Sequence, residues 1–308
     1  MIEITNLTKH LDRKNIIIDF SLNAKPKECI GLLGRDETGK TILLKMLSGS
    51  TPPSSGQIKI GGIDIAIHPT KAKQIIGYQP QSLIGHNTMT VNELLGFIAD
   101  IRGFSSIEKR KSVDRAVSRL ELLEALNCPL ETLSTELVRK VAIAQAILHT
   151  PSVLLLDNPT KGLEIDQKNK IGTLIKSLTD EMTVIIASPC PHELADVCNR
   201  ALVIADGRLL ADMPFAELQS RSRHCQAITF ASESALDLLA LAVLPGVAGI
   251  EEGRQAPGTV TVLAMPGQTI YPQVNALIAN RGWKINSLRL EPGRLDDVVH
   301  HLSQEAQN

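Results

Sequence analysis

The chain has 308 residues, 32 Lys and Arg against 33 Asp and Glu, and hence a formal net charge of −1. Its 43% hydrophobic and 21% charged residues exclude wholesale disorder and a collagen-like chain and suggest about two domains, while the balanced charge argues against a general nucleic-acid coat protein. Aromatics are only 3%, so the core must be aliphatic, and the five cysteines (Cys29, Cys128, Cys190, Cys198, Cys225) follow no metal-ligand spacing and are read as reduced thiols of a cytosolic protein.

In chain order, residues 3–7 and 16–22 read as strands, and residues 28–33 as a buried strand running into Gly34-Arg35-Asp36-Glu37-Thr38-Gly39-Lys40-Thr41. Residues 42–47 are then apolar at helical spacing. A second strand-like run, residues 58–65, surrounds Gly61-Gly62, and residues 74–79 are a third candidate. From Val91 to about Leu126 the pattern becomes helical with charged faces. Sheet character returns at residues 153–157, 183–187 and 201–205, with a helix over 166–178 between the first two. Strands separated by helices imply a parallel sheet covered on both faces. A polar, basic stretch at residues 219–224 then precedes a tail that reads strand (226–230), helix (234–243), strands around Pro257-Gly258, helix (271–280), strand (284–290) and a last helix from Leu295. That order suggests a small α+β sandwich.

No apolar run approaches the ~18 residues of a membrane helix. The start, Met1-Ile2-Glu3-Ile4-Thr5, alternates like a strand and lacks the features of a signal peptide. A cytoplasmic location is expected, and any membrane role requires a partner chain.

Residues 34–41 fit the pattern GxxxxGK[ST]. After a strand and before a helix, such a loop surrounds anionic phosphates with backbone N–H groups, its lysine reaches the terminal phosphates, and its hydroxyl binds Mg²⁺. Lys40 and Thr41 are therefore candidate nucleotide residues. Far downstream, four aliphatic residues end at Asp157, the acid expected to hold Mg²⁺ through water.

With these motifs in place, the sequence strongly resembles the nucleotide-binding subunits of ABC transporters. Gly77-Tyr78-Gln79-Pro80-Gln81 resembles the Q-loop, and residues 89–94 resemble the start of the helical subdomain of bacterial export ATPases. Leu133-Ser134-Thr135-Glu136-Leu137 sits where the LSGGQ signature belongs, and residues 154–164 resemble the Walker B motif and D-loop. The resemblance implies an α/β P-loop NTPase core over residues 1–218 with a helical subdomain at about 85–150, a linker at 219–225, and a small α+β domain over 226–308. It further implies ATP and Mg²⁺ as ligands: Gly34, Arg35, Thr38, Gly39, Lys40, Thr41 and Ile42 for the nucleotide, Thr41, Gln81 and Asp157 for Mg²⁺, and Ser134, Thr135 and Glu136 facing a partner's nucleotide. The implied partners are an integral membrane permease and a second nucleotide-binding subunit, without nucleic acid, at the inner face of the cell membrane. Residues 295–299 and the tail around them resemble the C-terminal extension of exporter ATPases.

Several positions depart from the family pattern. The glutamate that polarises the attacking water is replaced by Asn158, which can orient water but cannot usefully accept its proton; loss of general-base action costs ~10² to 10⁴ in rate. The switch histidine position carries Pro189, which has no donor, and nearby His192 reads as a solvated helix-start residue. The adenine-stacking aromatic falls near Leu11, next to His10. Thr135 and Glu136 replace signature glycines, adding bulk and a carboxylate; two like charges at ~4 Å repel by roughly 4 kcal/mol at an effective dielectric of ~20. Asp36 and Glu37 add negative charge to the phosphate loop, and Glu164 replaces the D-loop aspartate. The expectation is an ATP-binding subunit of a bacterial export-type transporter whose own hydrolytic site is impaired. The alternative is a non-hydrolysing regulatory or structural partner within an ABC complex.

Overall fold

The computed structural model describes residues 2–11, 14–35, 38–83, 88–232, 236–253 and 258–305. The chain divides into two compact units, one of residues 1–213 with 302–308, the other of residues 214–301.

The first unit begins with β1 (Ile2–Leu11), β2 (Lys14–Ala24) and β3 (Cys29–Leu33), followed by α1 (Lys40–Leu47), β4 (Ser55–Ile60), β5 (Ile63–Asp64), α2 (Pro69–Ile75) and β6 (Ile76–Gln79). Three helices follow: α3 (Val91–Ile101), α4 (Ser106–Arg119) and α5 (Thr135–Ile147). The unit ends with β7 (Val153–Asp157), α6 (Ile165–Leu178), β8 (Thr183–Ser188), α7 (Pro191–Ala195), β9 (Arg200–Ala205) and β10 (Arg208–Pro214). A six-stranded sheet has the order β10-β9-β3-β8-β7-β6, and a four-stranded sheet the order β2-β1-β4-β5. In the larger sheet β3 pairs in parallel with both β8 and β9, and β7 with β6 and β8. Every residue of β3, β7 and β8 is buried, as continuous aliphatic runs in a parallel sheet require.

Helix α1 places Leu43, Leu44, Met46 and Leu47 in one core cluster with Ile2, Leu7 and Phe20 of the smaller sheet and Ile30, Leu155 and Ile185 of the larger one. Each such side chain contributes about 1.5–3 kcal/mol on burial, so the helix behind the phosphate loop is fixed by both sheets. Helices α3 and α4 each start in a capping box, Thr90 with Glu93 and Ser105 with Glu108, which satisfies donors that the first turn leaves open.

Two expectations need correction. The single strand over residues 58–65 is a hairpin: Gly61 (φ 58°) and Gly62 (φ 78°) turn the chain between β4 and β5, a two-residue turn that needs left-handed backbone at both positions. Residues 74–79 form a strand only from Ile76, because α2 occupies Pro69–Ile75; the proline supplies a pre-set φ at the helix start.

The second unit contains α8 (Phe215–Ser220), β11 (Ile228–Ser232), α9 (Leu238–Ala242), β12 (Val247–Glu252), β13 (Thr259–Ala264), α10 (Tyr271–Arg281), β14 (Ile285–Leu290) and α11 (Leu295–Glu305), the last continuing beyond it. Its antiparallel sheet has the order β12-β13-β11-β14 over a core that includes Phe230, Val262, Ile270 and Val274. Trp283 packs against that core, and Asp296 and Asp297 open α11. The polar stretch expected to be a linker is part of this unit. Ser222 and His224 are buried; the Ser222 hydroxyl accepts from Arg294 N–H at 2.9 Å, and His224 Nε2 lies 2.8 Å from Glu251. Partners within the unit satisfy these buried polar groups.

Candidate nucleotide-binding site

The loop between β3 and α1 is built around two glycines that admit no side chain. A Cβ on Gly34 would lie 2.5 Å from the Ile204 carbonyl and 2.6 Å from Thr38 Oγ1. Gly39 caps α1 in the left-handed region (φ 96°), where a Cβ would come within 2.8 Å of Ile16 O. Close backbone approach of this kind leaves the helix N-terminus open to an anion. Lys40 is buried; its Nζ donates to the carbonyls of Gly34 (2.6 Å) and Arg35 (2.7 Å), and Thr38 Oγ1 donates to Arg35 O at 2.9 Å. The ammonium thus sits inside the loop that a phosphate would occupy. Ile42 packs against the core cluster. Asp36 and Glu37 lie outside the described residues.

Thr41, on the first turn of α1, meets Asp157 at the end of β7: the hydroxyl donates to Asp157 Oδ1 at 3.1 Å. Asp157 is 3% exposed, and its Oδ2 is buried without a hydrogen-bond partner. The Tyr78 hydroxyl faces the same carboxylate without a regular hydrogen bond, and burial beside Asp157 pushes its pKa well above the ordinary phenol value. Burial likewise pushes the Asp157 carboxyl above its ordinary range, opposed by the Thr41 hydrogen bond and by Lys40 and Lys45. A buried carboxylate oxygen without a donor, next to a hydroxyl, is the hard oxygen set that Mg²⁺ takes. Among the described residues no group of three or more His, Cys, Asp or Glu could hold a metal. Such an ion therefore fits Thr41 and Asp157 only if phosphate oxygens and water complete its shell, as is usual for Mg²⁺.

Gln81 contributes its backbone carbonyl to Arg139 Nη1 at 2.6 Å, while its side chain makes no hydrogen bond among the described residues. Gln79, fully buried, points Nε2 toward the Asp157 carbonyl (3.5 Å) and leaves Oε1 without a partner.

Asn158 follows Asp157 with φ 51°, donates its N–H to Ala187 O (2.8 Å) and accepts from Lys161 N–H at 3.2 Å. Asparagine is among the side chains best tolerated in that left-handed conformation. Pro189 is exposed just beyond β8, and His192 is exposed in α7. Leu11 ends β1 with 42% exposure, an aliphatic side chain where stacking on adenine was expected. Glu164 precedes α6, its N–H donating to Gln167 Oε1 at 3.1 Å.

Ser134 caps α5, its hydroxyl accepting from Leu137 N–H at 3.3 Å, and Thr135 and Glu136 form the first turn. Glu136 is not the uncompensated charge that the sequence suggested. Its carboxylate lies 3.6 Å from Lys140 Nζ, one turn on, and Lys140 also meets Glu121 at 3.1 Å. The added bulk at this turn remains, and Lys140, shared with Glu121, offsets the negative charge only in part.

Sequence reasoning overlooked Arg139. Besides Gln81, its guanidinium reaches the Lys161 carbonyl through Nε (3.2 Å) and Nη2 (3.0 Å). The signal available was a lone arginine on the helix that follows the signature-like segment.

The ABC transporter family profile matches residues 17–161. The linearmycin resistance ATP-binding protein LnrL of Bacillus subtilis is 33% identical over 222 residues, covering 72% of this chain and 71% of that protein. The chain belongs to the ABC transporter ATP-binding family. The bacitracin transport ATP-binding protein BcrA of Bacillus licheniformis is 30% identical, covering 72% of each chain. Among solved structures, the dimeric bacterial ABC transporter cassette MJ0796 superposes with TM-score 0.64 at 24% identity, over 70% of this chain and 99% of that one. The CbiO1 protein of Clostridium perfringens, part of an ABC transporter complex, gives TM-score 0.64 at 25% identity over 71% and 90%. The α/β P-loop core is thus the ABC ATPase cassette, and the chain is an ATP-binding subunit of the ABC type. No helix among the described residues is long and apolar enough to cross a membrane.

Proposed function

We propose that this chain binds MgATP between its phosphate loop and Asp157 and hydrolyses it slowly, driving a separate membrane permease for export. The observation that carries the reading is the pairing of Thr41 with a buried carboxylate whose second oxygen has no partner, directly followed by Asn158. Bound Mg²⁺ would neutralise charge on the phosphates and orient them for attack. Of the chain's own groups, Lys40 and the N–H groups of the first α1 turn hold the terminal phosphates, and the Thr41 hydroxyl and Asp157 fix the ion, with Gln81 as a further ligand. Asn158 orients water but removes no proton, and Pro189 offers the terminal phosphate no N–H. A second nucleotide-binding subunit completes the site, and the complex sits on the inner face of the cell membrane. The export direction is supported by the resistance and export names that the relatives carry.

The test is titration of the purified chain with a fluorescent ATP analogue, with Mg²⁺ and with EDTA, beside a steady-state ATPase assay. Tight Mg²⁺-dependent binding lost in Lys40→Ala, with turnover at least about a hundredfold below an intact cassette, is the expected result. Turnover at family rates that disappears in Lys40→Ala refutes the impairment. Asn158 also supports a second reading, a regulatory subunit that binds without hydrolysis and biases a two-state complex by differential affinity; binding with no measurable turnover in the assembled complex favours it.

A further inference from the structure

Arg139 lies one turn into α5, beyond the Ser134–Thr135–Glu136 segment at that helix's start. Its guanidinium donates to two carbonyls on segments far apart in sequence, Gln81 on one side and Lys161 on the other. Each carbonyl leads to the cation site. Lys161 N–H donates to Asn158 O, and Asn158 is bonded to Asp157 and anchored on Ala187 of β8. Gln81 lies two residues beyond Gln79, whose amide reaches the Asp157 carbonyl. One planar fork therefore closes a ring through the two arms of the site and the helix behind the signature-like turn.

We propose that Arg139 is a positioning residue that makes the Gln81 segment, the 158–161 turn and the start of α5 respond to nucleotide as one body. The proposal rests on the reading of Thr41, Asp157 and Gln81 as the cation site. A shift of α5 by a fraction of a hydrogen-bond length stretches three bonds at once, so the geometry admits either joint movement or rupture. A lysine at this position keeps the charge but has neither the planar fork nor the reach for both carbonyls. Alanine, the best helix former, removes the link while leaving the helix intrinsically favourable.

Hydrogen–deuterium exchange on the full chain tests this, comparing wild type, Arg139→Ala and Arg139→Lys, each alone, with ATP in EDTA and with MgATP, beside calorimetric affinities. In the wild type, MgATP should slow exchange in the peptides covering residues 79–83, 158–162 and 134–140 together. In Arg139→Ala the phosphate-loop peptide should keep its protection and ATP affinity in EDTA should change less than about threefold. The MgATP-induced slowing at 134–140 and 158–162 should fall at least tenfold, with Arg139→Lys retaining it on one of the two segments only. Concerted protection of all three segments in Arg139→Ala overturns the proposal. So does faster exchange along the whole of α5 in the ligand-free alanine and lysine variants, which marks a purely structural arginine. Failure of the underlying site reading looks different: the phosphate loop of the wild type itself shows no MgATP protection.

Discussion

Replacing Asp157 with asparagine separates what the fold wants from what the ligand wants. The carboxylate is 3% exposed, accepts one hydrogen bond from Thr41 at 3.1 Å, and leaves Oδ2 buried without a partner. A buried polar group in that condition costs about 1–3 kcal/mol, and a charged one more; Lys40 and Lys45 return part of it. Asparagine keeps the size and the acceptor for Thr41 and removes the charge, so ligand-free Asp157→Asn should be more stable by about 1–2 kcal/mol. For a unit of this size that raises Tm by about 2–8 °C. On the proposed reading, the same change removes an anionic ligand from Mg²⁺. At a hundred times Kd a ligand stabilises by about 2.7 kcal/mol, and the Mg²⁺-dependent share of that shift should vanish while the shift from ATP in EDTA persists. The pH dependence has a defined sign. Because the folded-state pKa of Asp157 is raised, the stability it contributes is present at low pH and lost as pH rises through that pKa; wild type and variant should therefore converge below pH ~4 and diverge above it. Scanning calorimetry across pH ~3 to ~8, with and without MgATP, reads all three effects. A ligand-free variant several degrees less stable than wild type at pH 7 would show that the carboxylate is a net structural stabiliser and refute the reasoning.

His149, half-buried two residues beyond α5 with Nε2 3.0 Å from Ile76 O, has its pKa pushed down to about 4 by desolvation and by Arg102. Its stabilising contribution is full above the unfolded value near 6.5 and lost as pH falls toward 4, so wild type should lose up to about 3 kcal/mol over that window; urea melts of His149→Gln should show a flatter profile. Arg200 forks onto Asp212 at 2.6 and 2.7 Å and reaches Glu28 at 3.1 Å, and Arg200→Met should lower stability by about 2–3 kcal/mol, less than for a fully buried pair because its side chain is 21% exposed. Asn158→Glu places a side chain less suited to φ 51°, costing about 1 kcal/mol; ATPase activity of the isolated chain should rise no more than about tenfold, and a rate equal to that of intact cassettes would show that Pro189 and the signature turn matter little.

What could be read from the sequence is what short-range backbone demands impose. The phosphate loop was legible because Gly34 and Gly39 stand where a Cβ would strike Ile204 O and Ile16 O, and no other residue substitutes there without distortion. The strands ending at Leu33 and Asp157 were legible because a strand buried on both faces has to be continuously aliphatic. The hairpin at Gly61-Gly62 was signalled by the glycine pair and missed because Ile58, Ile60, Ile63 and Ile65 on either side read as one apolar run. Helix α2 buries only Ala72, so it carries no apolar stripe to find. The supposed linker was misread because polarity resembles solvation until its partners are known: His224 is polar and buried, facing Glu251 and Asp297. Arg139 was invisible for a deeper reason. Its acceptors are backbone carbonyls, which every residue carries, so no residue pattern marks them.

The pairing of Glu136 with Lys140 changes how the two kinds of departure combine. In the arrangement that the family resemblance implies, Asn158 acts on the nucleotide of its own chain and the signature turn on that of the partner. With Lys140 shared between Glu121 and Glu136, the charge at this turn is offset only in part, so Thr135 and Glu136 obstruct by volume as well as by charge, and volume can be met by movement of α5. Salt separates the possibilities: a charge-limited closure strengthens as screening rises, whereas a volume-limited one does not. On the proposed reading, a missing proton acceptor at Asn158 has no such remedy there, because neither Pro189 nor the carboxamide can take a proton. On the proposed reading, the defect in the chain's own site is chemical and fixed, while the one it presents to a partner is in part mechanical, so a partner subunit with its own general base would supply what a second copy of this chain would lack.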